Sequence, residues 1–141
     1  MSAAAATLRG RRLAESLMVD KCVVKRQSGT EYDPSTRKNV PTYTTVYDDP
    51  DEAGAGAKCQ VQAQTQRPRD LEAGERLVIE KAHVVKLPIT ALGVSVGDIV
   101  TMTAVDSVTG DPELVGRKLV VRDVLAKTYA TARRLTCEEQ S

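Results

Sequence analysis

The sequence predicts a mainly β protein: a small antiparallel β-barrel or sandwich with a short N-terminal helix and long polar loops. Three observations predict it. β-Branched stretches recur along the chain between clusters of Gly, Pro, Asp, Asn and Ser. Sustained helical periodicity is missing after Leu17. The 141 residues, 41% of them hydrophobic and 28% charged, make one globular domain with a single core. The expected organisation is a flexible N-terminus over 1–6, one barrel-like domain over 7–139 and a tail at 140–141.

Each element has its own reason. Over 7–17, TLRGRRLAESL reads as a short amphipathic helix. Thr7 is its candidate cap, Leu8, Leu13 and Leu17 lie near one stripe, and Gly10 weakens it by about 1 kcal/mol relative to Ala. VDKCVVKRQ (19–27) and VPTYTTVY (40–47) have strand composition, and the turn formers between them predict a long hairpin with an open, polar tip. The stretch 48–57, DDPDEAGAGA, is acidic and aperiodic, and reads as a loop insert, flexible or partly disordered.

KCQVQAQTQ (58–66) alternates strictly, with Cys59, Val61, Ala63 and Thr65 on one face and Lys58 and the glutamines on the other. A polar turn over 67–75 separates it from a strand over 76–88 that ends at Pro88. In 93–105 the turn Gly97-Asp98 precedes a strand whose Val100, Met102 and Ala104 share a face. Turn signals at Gly110-Asp111-Pro112 and Gly116 lead to strands over 118–127 and 129–139.

Composition excludes several function classes. The net charge is +1, which argues against tight independent nucleic-acid binding, and the aromatic content of 3% argues against stacking platforms. No apolar run is long enough to span a bilayer, and nothing resembles a secretory signal, so no membrane association is expected. The three cysteines, Cys22, Cys59 and Cys137, are odd in number and unpaired in spacing, which points to a reducing compartment and buried thiols. With His83 they are four possible zinc ligands, but each sits alone in a strand rather than on a turn, so no metal or cofactor is expected. His83 has no nucleophile or orienting carboxylate beside it in sequence, phosphate-loop and dinucleotide motifs are missing, and no enzyme activity is expected.

The charge distribution is more informative than its total. Residues 1–28 carry six basic and two acidic side chains, and residues 29–57 carry two basic and six acidic. Such a separation suits head-to-tail contact between identical copies. Candidate contact residues are Arg9, Arg11 and Arg12 on the helix, Asp33, Arg37 and Lys38 at the hairpin tip, and Asp48, Asp49, Asp51 and Glu52 in the acidic loop. Arg133 and Arg134 near the end join them, while Arg67 and Arg69 bracket Pro68.

Three stretches, in order, resemble a known family. RRLAESLMVDKCVVKR with the DP-containing hairpin after it, KLPITALGVSVGDIVTM, and LVGRKLVVRDVLAKTYATARRLTCEE are similar to the small head-to-tail connector proteins of tailed bacteriophages. The likeness spans residues 8–139 and is strongest to stopper (head-completion) proteins of phages that infect actinobacteria. None of the three is a chemical motif; order and length carry the resemblance. Cys137 stands where an aliphatic residue is expected, and the 48–57 insert is longer and more acidic than usual.

The resemblance implies a structural virion protein, assembled in the host cytoplasm and located in the neck between capsid and tail. Six or twelve copies would form a ring, with the adaptor and portal above and the tail terminator or tail tube below. That ring would retain packaged double-stranded DNA, with at most weak phosphate contact, and offer the tail a docking surface. Alternatives are a tail terminator or minor tail protein and, outside that class, a small barrel that binds single-stranded nucleic acid.

Overall fold

The computed structural model describes residues 2–65 and 81–139. One helix, α1 (Ala3–Ser16), precedes seven strands: β1 (Asp20–Asp33), β2 (Lys38–Tyr47), β3 (Ala57–Thr65), β4 (Lys81–Leu87), β5 (Ile99–Ala104), β6 (Lys118–Leu125) and β7 (Arg133–Glu139). A 3-10 turn, Pro112–Leu114, lies before β6 and is capped by the Asp111 side chain. The polar turn expected over 67–75, with Arg67 and Arg69, the first residues of the strand expected over 76–88 and the tail at 140–141 lie outside the described residues.

The strands close into a barrel. The sheet order is β2-β1-β3-β4-β7-β6-β5, and a further pairing of β1 with β5 joins its ends, so six strands form the barrel and β2 stands outside it. Every pairing is antiparallel. Inward positions alternate as the pleat demands: Cys22 and Val24, Cys59, Val85 and Leu87, Val100 and Met102, Leu119 and Val121, Leu135 and Cys137 are all buried. A barrel of this size is filled by its own side chains, and its fully buried cluster is aliphatic and sulfur-bearing. The alternation expected in 58–66 holds at Cys59 and fades along β3, where Val61 is half-buried and Ala63 exposed.

The three cysteines, scattered in sequence, meet in this interior as free thiols. Contact with Cys59, then burial, pushes the Cys22 thiol well above its usual value, and burial pushes Cys137 up to about 12. Such thiols are protonated and poorly nucleophilic at neutral pH. His83 also faces inward, directly across from Cys137 in the β4–β7 register.

Two local expectations need correction. α1 begins at Ala3 with Ser2 as its cap, Oγ accepting from the Ala5 N–H at 3.1 Å. The 1–6 segment is thus mostly the first helical turn: four alanines, the best helix formers, extend the helix past Thr7. Thr7 instead donates its hydroxyl to the Ala3 carbonyl. The second correction concerns the buried face. Leu8, Leu13 and Leu17 are 52%, 65% and 54% exposed, and α1 docks through Thr7, Gly10, Arg11, Ala14 and Glu15 instead. Gly10 allows the approach, since a Cβ there would sit 2.7 Å from Thr131 Cγ2. Arg11 Nε donates to the Ala130 carbonyl at 3.0 Å, and Glu15 pairs with Lys58 at 3.3 Å.

Candidate functional site

β1 works in two settings. Residues 20–25 are barrel wall, paired with β3 and β5. Beyond Lys25 its β5-side edge has no strand against it among the described residues, while β2 continues beside it to the pair Asp33–Lys38. The result is a two-stranded arm that leaves the barrel. Its outer residues are exposed on both faces, Tyr32, Val40 and Tyr43 among them. Two-stranded ribbons are marginal in water on their own, so what fixes the root of the arm matters.

That root is a clamp. Arg26, the first residue past the barrel, donates Nε to Asp98 Oδ1 at 2.9 Å and Nη2 to Asp98 Oδ2 at 3.0 Å. Nη2 also reaches the Gly93 carbonyl at 2.6 Å and Ser95 Oγ at 3.2 Å. Asp98 is 1% exposed and accepts from the Ser95 N–H as well, so its buried charge is fully partnered. The turn that holds it rests on Gly97 at φ +94, and its backbone locks to β6 through Gly97 N to Val121 O and Val121 N to Asp98 O. The hydrogen bond and charge of Asp98 raise the Arg26 pKa further. From the sequence Gly97-Asp98 reads only as a turn; a carboxylate placed immediately before a buried strand is the available signal for a partner.

The far end of the arm is also organised, in contrast to the open tip expected. Asp33 Oδ1 accepts from the Ser35 N–H at 2.9 Å and from its hydroxyl at 2.7 Å, while Arg37 N–H returns to the Asp33 carbonyl at 2.8 Å. The Ser35 hydrogen bonds hold the Asp33 carboxyl below its usual range. Arg37 takes φ +56, a left-handed position, and Lys38 faces Asp33 across the ladder. The Asp33 carboxylate is therefore engaged inside its own turn, and Arg37 and Lys38 are the cations displayed at the tip.

The acidic loop corrects the expectation of flexibility. Asp48 turns back into it: its carboxylate accepts from the N–H groups of Asp49 at 2.7 Å, Gly54 at 2.7 Å and Gly56 at 2.9 Å. Desolvation acts to raise its pKa, but those three donors and the nearby Lys25 outweigh it and the carboxyl is held low. Asp49 in turn accepts from the Asp51 N–H at 2.8 Å. Thr103 donates to the Ala55 carbonyl at 2.8 Å, and Gly56, at φ +84, lies so close to Thr103 and the Cys22 backbone that a Cβ has no room. The loop is pinned to the β1–β5 wall with the exposed Asp51 and Glu52 carrying no ion pair among the described residues.

The remaining arginines divide in two. Arg11 and Arg133 serve the fold: Arg133 Nη2 donates to the Ile89 carbonyl at 3.0 Å, with its Nε buried and unpartnered among the described residues. Arg9, Arg12 and Arg134 are exposed. The structure does not bring the expected contact residues into one cluster. It spreads them over the helix, the arm tip, the acidic loop and the β4–β7 wall.

Two open grooves lie on the barrel's outside. One, of about 420 Å³, runs along β5 and β1 beside the arm, lined by Val23, Tyr43, Gly54 and Ile99 with Lys25 and Lys118. The other, of about 400 Å³, crosses β3, β4, β7 and β6 through Gln62, Val84, Lys86, Leu125, Arg134 and Thr136. Among the described residues no three His, Cys, Asp or Glu side chains are grouped to hold a metal ion, and no helix is long and apolar enough to cross a membrane. No curated protein matches the chain. A family model does match it, over residues 10–138, which is nearly all of the barrel and its arm: the chain belongs to DUF6093, a family of unknown function.

Proposed function

We propose that this protein is a structural subunit of the neck of a tailed-phage virion, a stopper-type connector that forms a ring, helps retain packaged DNA and offers the tail a docking surface. The ordered likeness of three stretches to such connectors over residues 8–139 supports the reading. The physical observation that carries it is the arm. A clamped two-stranded ribbon with exposed Tyr32, Val40 and Tyr43 and a β1 edge unpaired among the described residues is surface that another chain would cover.

On this reading the barrel is a rigid mount and the chemistry is recognition. Buried thiols with raised pKa values and carboxylates committed to loop backbones fit that role. The test is imaging of particles made without the protein. The proposal expects filled heads that leak DNA or carry no tail. Complete heads bearing tails of abnormal length would move the assignment to a tail terminator, and normal infectious particles would overturn it.

A further inference from the structure

The outer wall formed by β4 and β7 carries two cations directly opposite one another. Lys86 and Arg134 are Cα partners in the ladder and share a face of the sheet. Like charges in that position repel. Some surface cations are matched, Arg117 with Glu139, Arg122 with Glu138 and Lys58 with Glu15, while Arg9, Arg12, Arg37 and Lys38 are exposed with no ion pair among the described residues. Lys86 and Arg134 have no carboxylate within ion-pair distance among the described residues. They line the groove of about 400 Å³ together with Gln62 and Thr136 as hydrogen-bonding groups and Val84 and the exposed Leu125 as an apolar shelf. A cation pair beside an apolar shelf fits an acidic polypeptide segment better than a bare phosphate, which gains nothing from Val84 and Leu125.

The chain carries such a segment. In the loop that follows β2, the carboxylates of Asp51 and Glu52 are exposed and free of ion pairs among the described residues, next to Ala53. The Asp48 hydrogen bonds and the Thr103 contact already hold its shape, so little ordering is lost on docking. Topology decides the occupant. Around the barrel the order is β1-β3-β4-β7-β6-β5, which sets the β4–β7 wall opposite the β1–β5 wall where the loop is pinned. One molecule's loop lies on the far side from its own groove, so complementarity is satisfied only between molecules.

We infer that the Asp51–Glu52 loop of one copy docks in the Lys86–Arg134 groove of the next. The contact is heterologous, and repetition of it closes a ring or propagates as a filament according to the rotation per step. This rests on the proposed ring-forming function and identifies the two surfaces that would build the ring.

The test uses the full-length chain and sedimentation velocity across a concentration series at low salt. Wild type should associate, and added salt should weaken association. The pair Lys86→Glu with Arg134→Glu and the pair Asp51→Lys with Glu52→Lys should each reduce association at least about tenfold, with circular dichroism and melting unchanged. Mixing the two variants should restore association in alternating 1:1 composition, as should all four changes in one chain. The neutral pair Lys86→Gln with Arg134→Gln should fall between. Association of the wild type that neither reversal alters overturns this contact and leaves the ring-forming function standing. A wild type that stays monomeric throughout overturns both.

Discussion

The two halves of β1 belong to one strand and obey different physics. From Asp20 to Val24 it is wall of a closed barrel, and Cys22, Val23 and Val24 are buried. From Gln27 to Glu31 its side chains are exposed on both faces, with β2 as its one partner among the described residues. Hydrophobic burial holds the first half. In the second, the ladder to β2, the Arg26–Asp98 clamp and the Asp33 turn supply the order. One sequence stretch can thus be barrel wall at one end and exposed ribbon at the other, and where the burial pattern stops marks the boundary.

Substitutions sharpen the contrast, and the largest effect belongs to the barrel. Leu135→Ala opens a cavity in a fully enclosed site and should lower stability by about 3–4 kcal/mol in denaturant titration. If it lowers stability by under about 1 kcal/mol, the barrel interior is not the main source of stability. Asp98→Ala comes next. It strips the buried partner from Arg26 and from the Ser95 N–H and should lower stability by about 2–3 kcal/mol. Amide exchange over 26–33 should also speed up, and exchange that stays unchanged there would remove the clamp from the account.

A pH series isolates the acidic loop. The folded Asp48 carboxyl is held below its unfolded value, so its contribution is complete above that unfolded value and is lost as pH falls through the folded one. The urea-midpoint difference between wild type and Asp48→Asn should therefore hold steady from neutral pH to about pH 4 and shrink below it. A gap that widens on acidification would contradict the hydrogen-bonding assignment. The smallest stability effect is expected in the arm, where Tyr32→Ser should change stability by no more than about 0.5 kcal/mol while impairing assembly.

Much of the barrel was legible in the sequence. Strict alternation marked Cys59, and the turn at Gly97-Asp98 located the strand that buries Val100 and Met102. What stayed hidden depended on contacts between distant residues. The leucines of α1 imply a buried stripe, yet the helix docks through Gly10 and Arg11 because Thr131 and the Ala130 carbonyl lie more than 100 residues away in sequence. The loop over 48–57 looked formless because a single carboxylate, Asp48, organises it through backbone donors that leave no periodic trace. Cys22, Cys59 and Cys137 showed no spacing pattern because the barrel, not a local motif, brings them together. Arg26 and Asp98 pair across 72 residues for the same reason.

The candidate site was legible residue by residue and not as geometry. Asp51, Glu52 and Arg134 were recognisable as charged candidates, but Lys86 gained meaning only once the β4–β7 register set it opposite Arg134. That Asp33 and Asp48 are engaged in hydrogen bonds within their own turns required side-chain positions.

The proposed function requires that the barrel be complete in the single chain while a neighbour completes the arm. Amide hydrogen exchange, read residue by residue in the free and the assembled protein, tests it most directly. The account predicts strong protection over 20–25, 99–104 and 133–139 in both states, with weak protection over 27–33 and 38–43 that rises sharply on assembly. Equal protection of arm and barrel in the free chain, or an arm that assembly leaves unchanged, would contradict it.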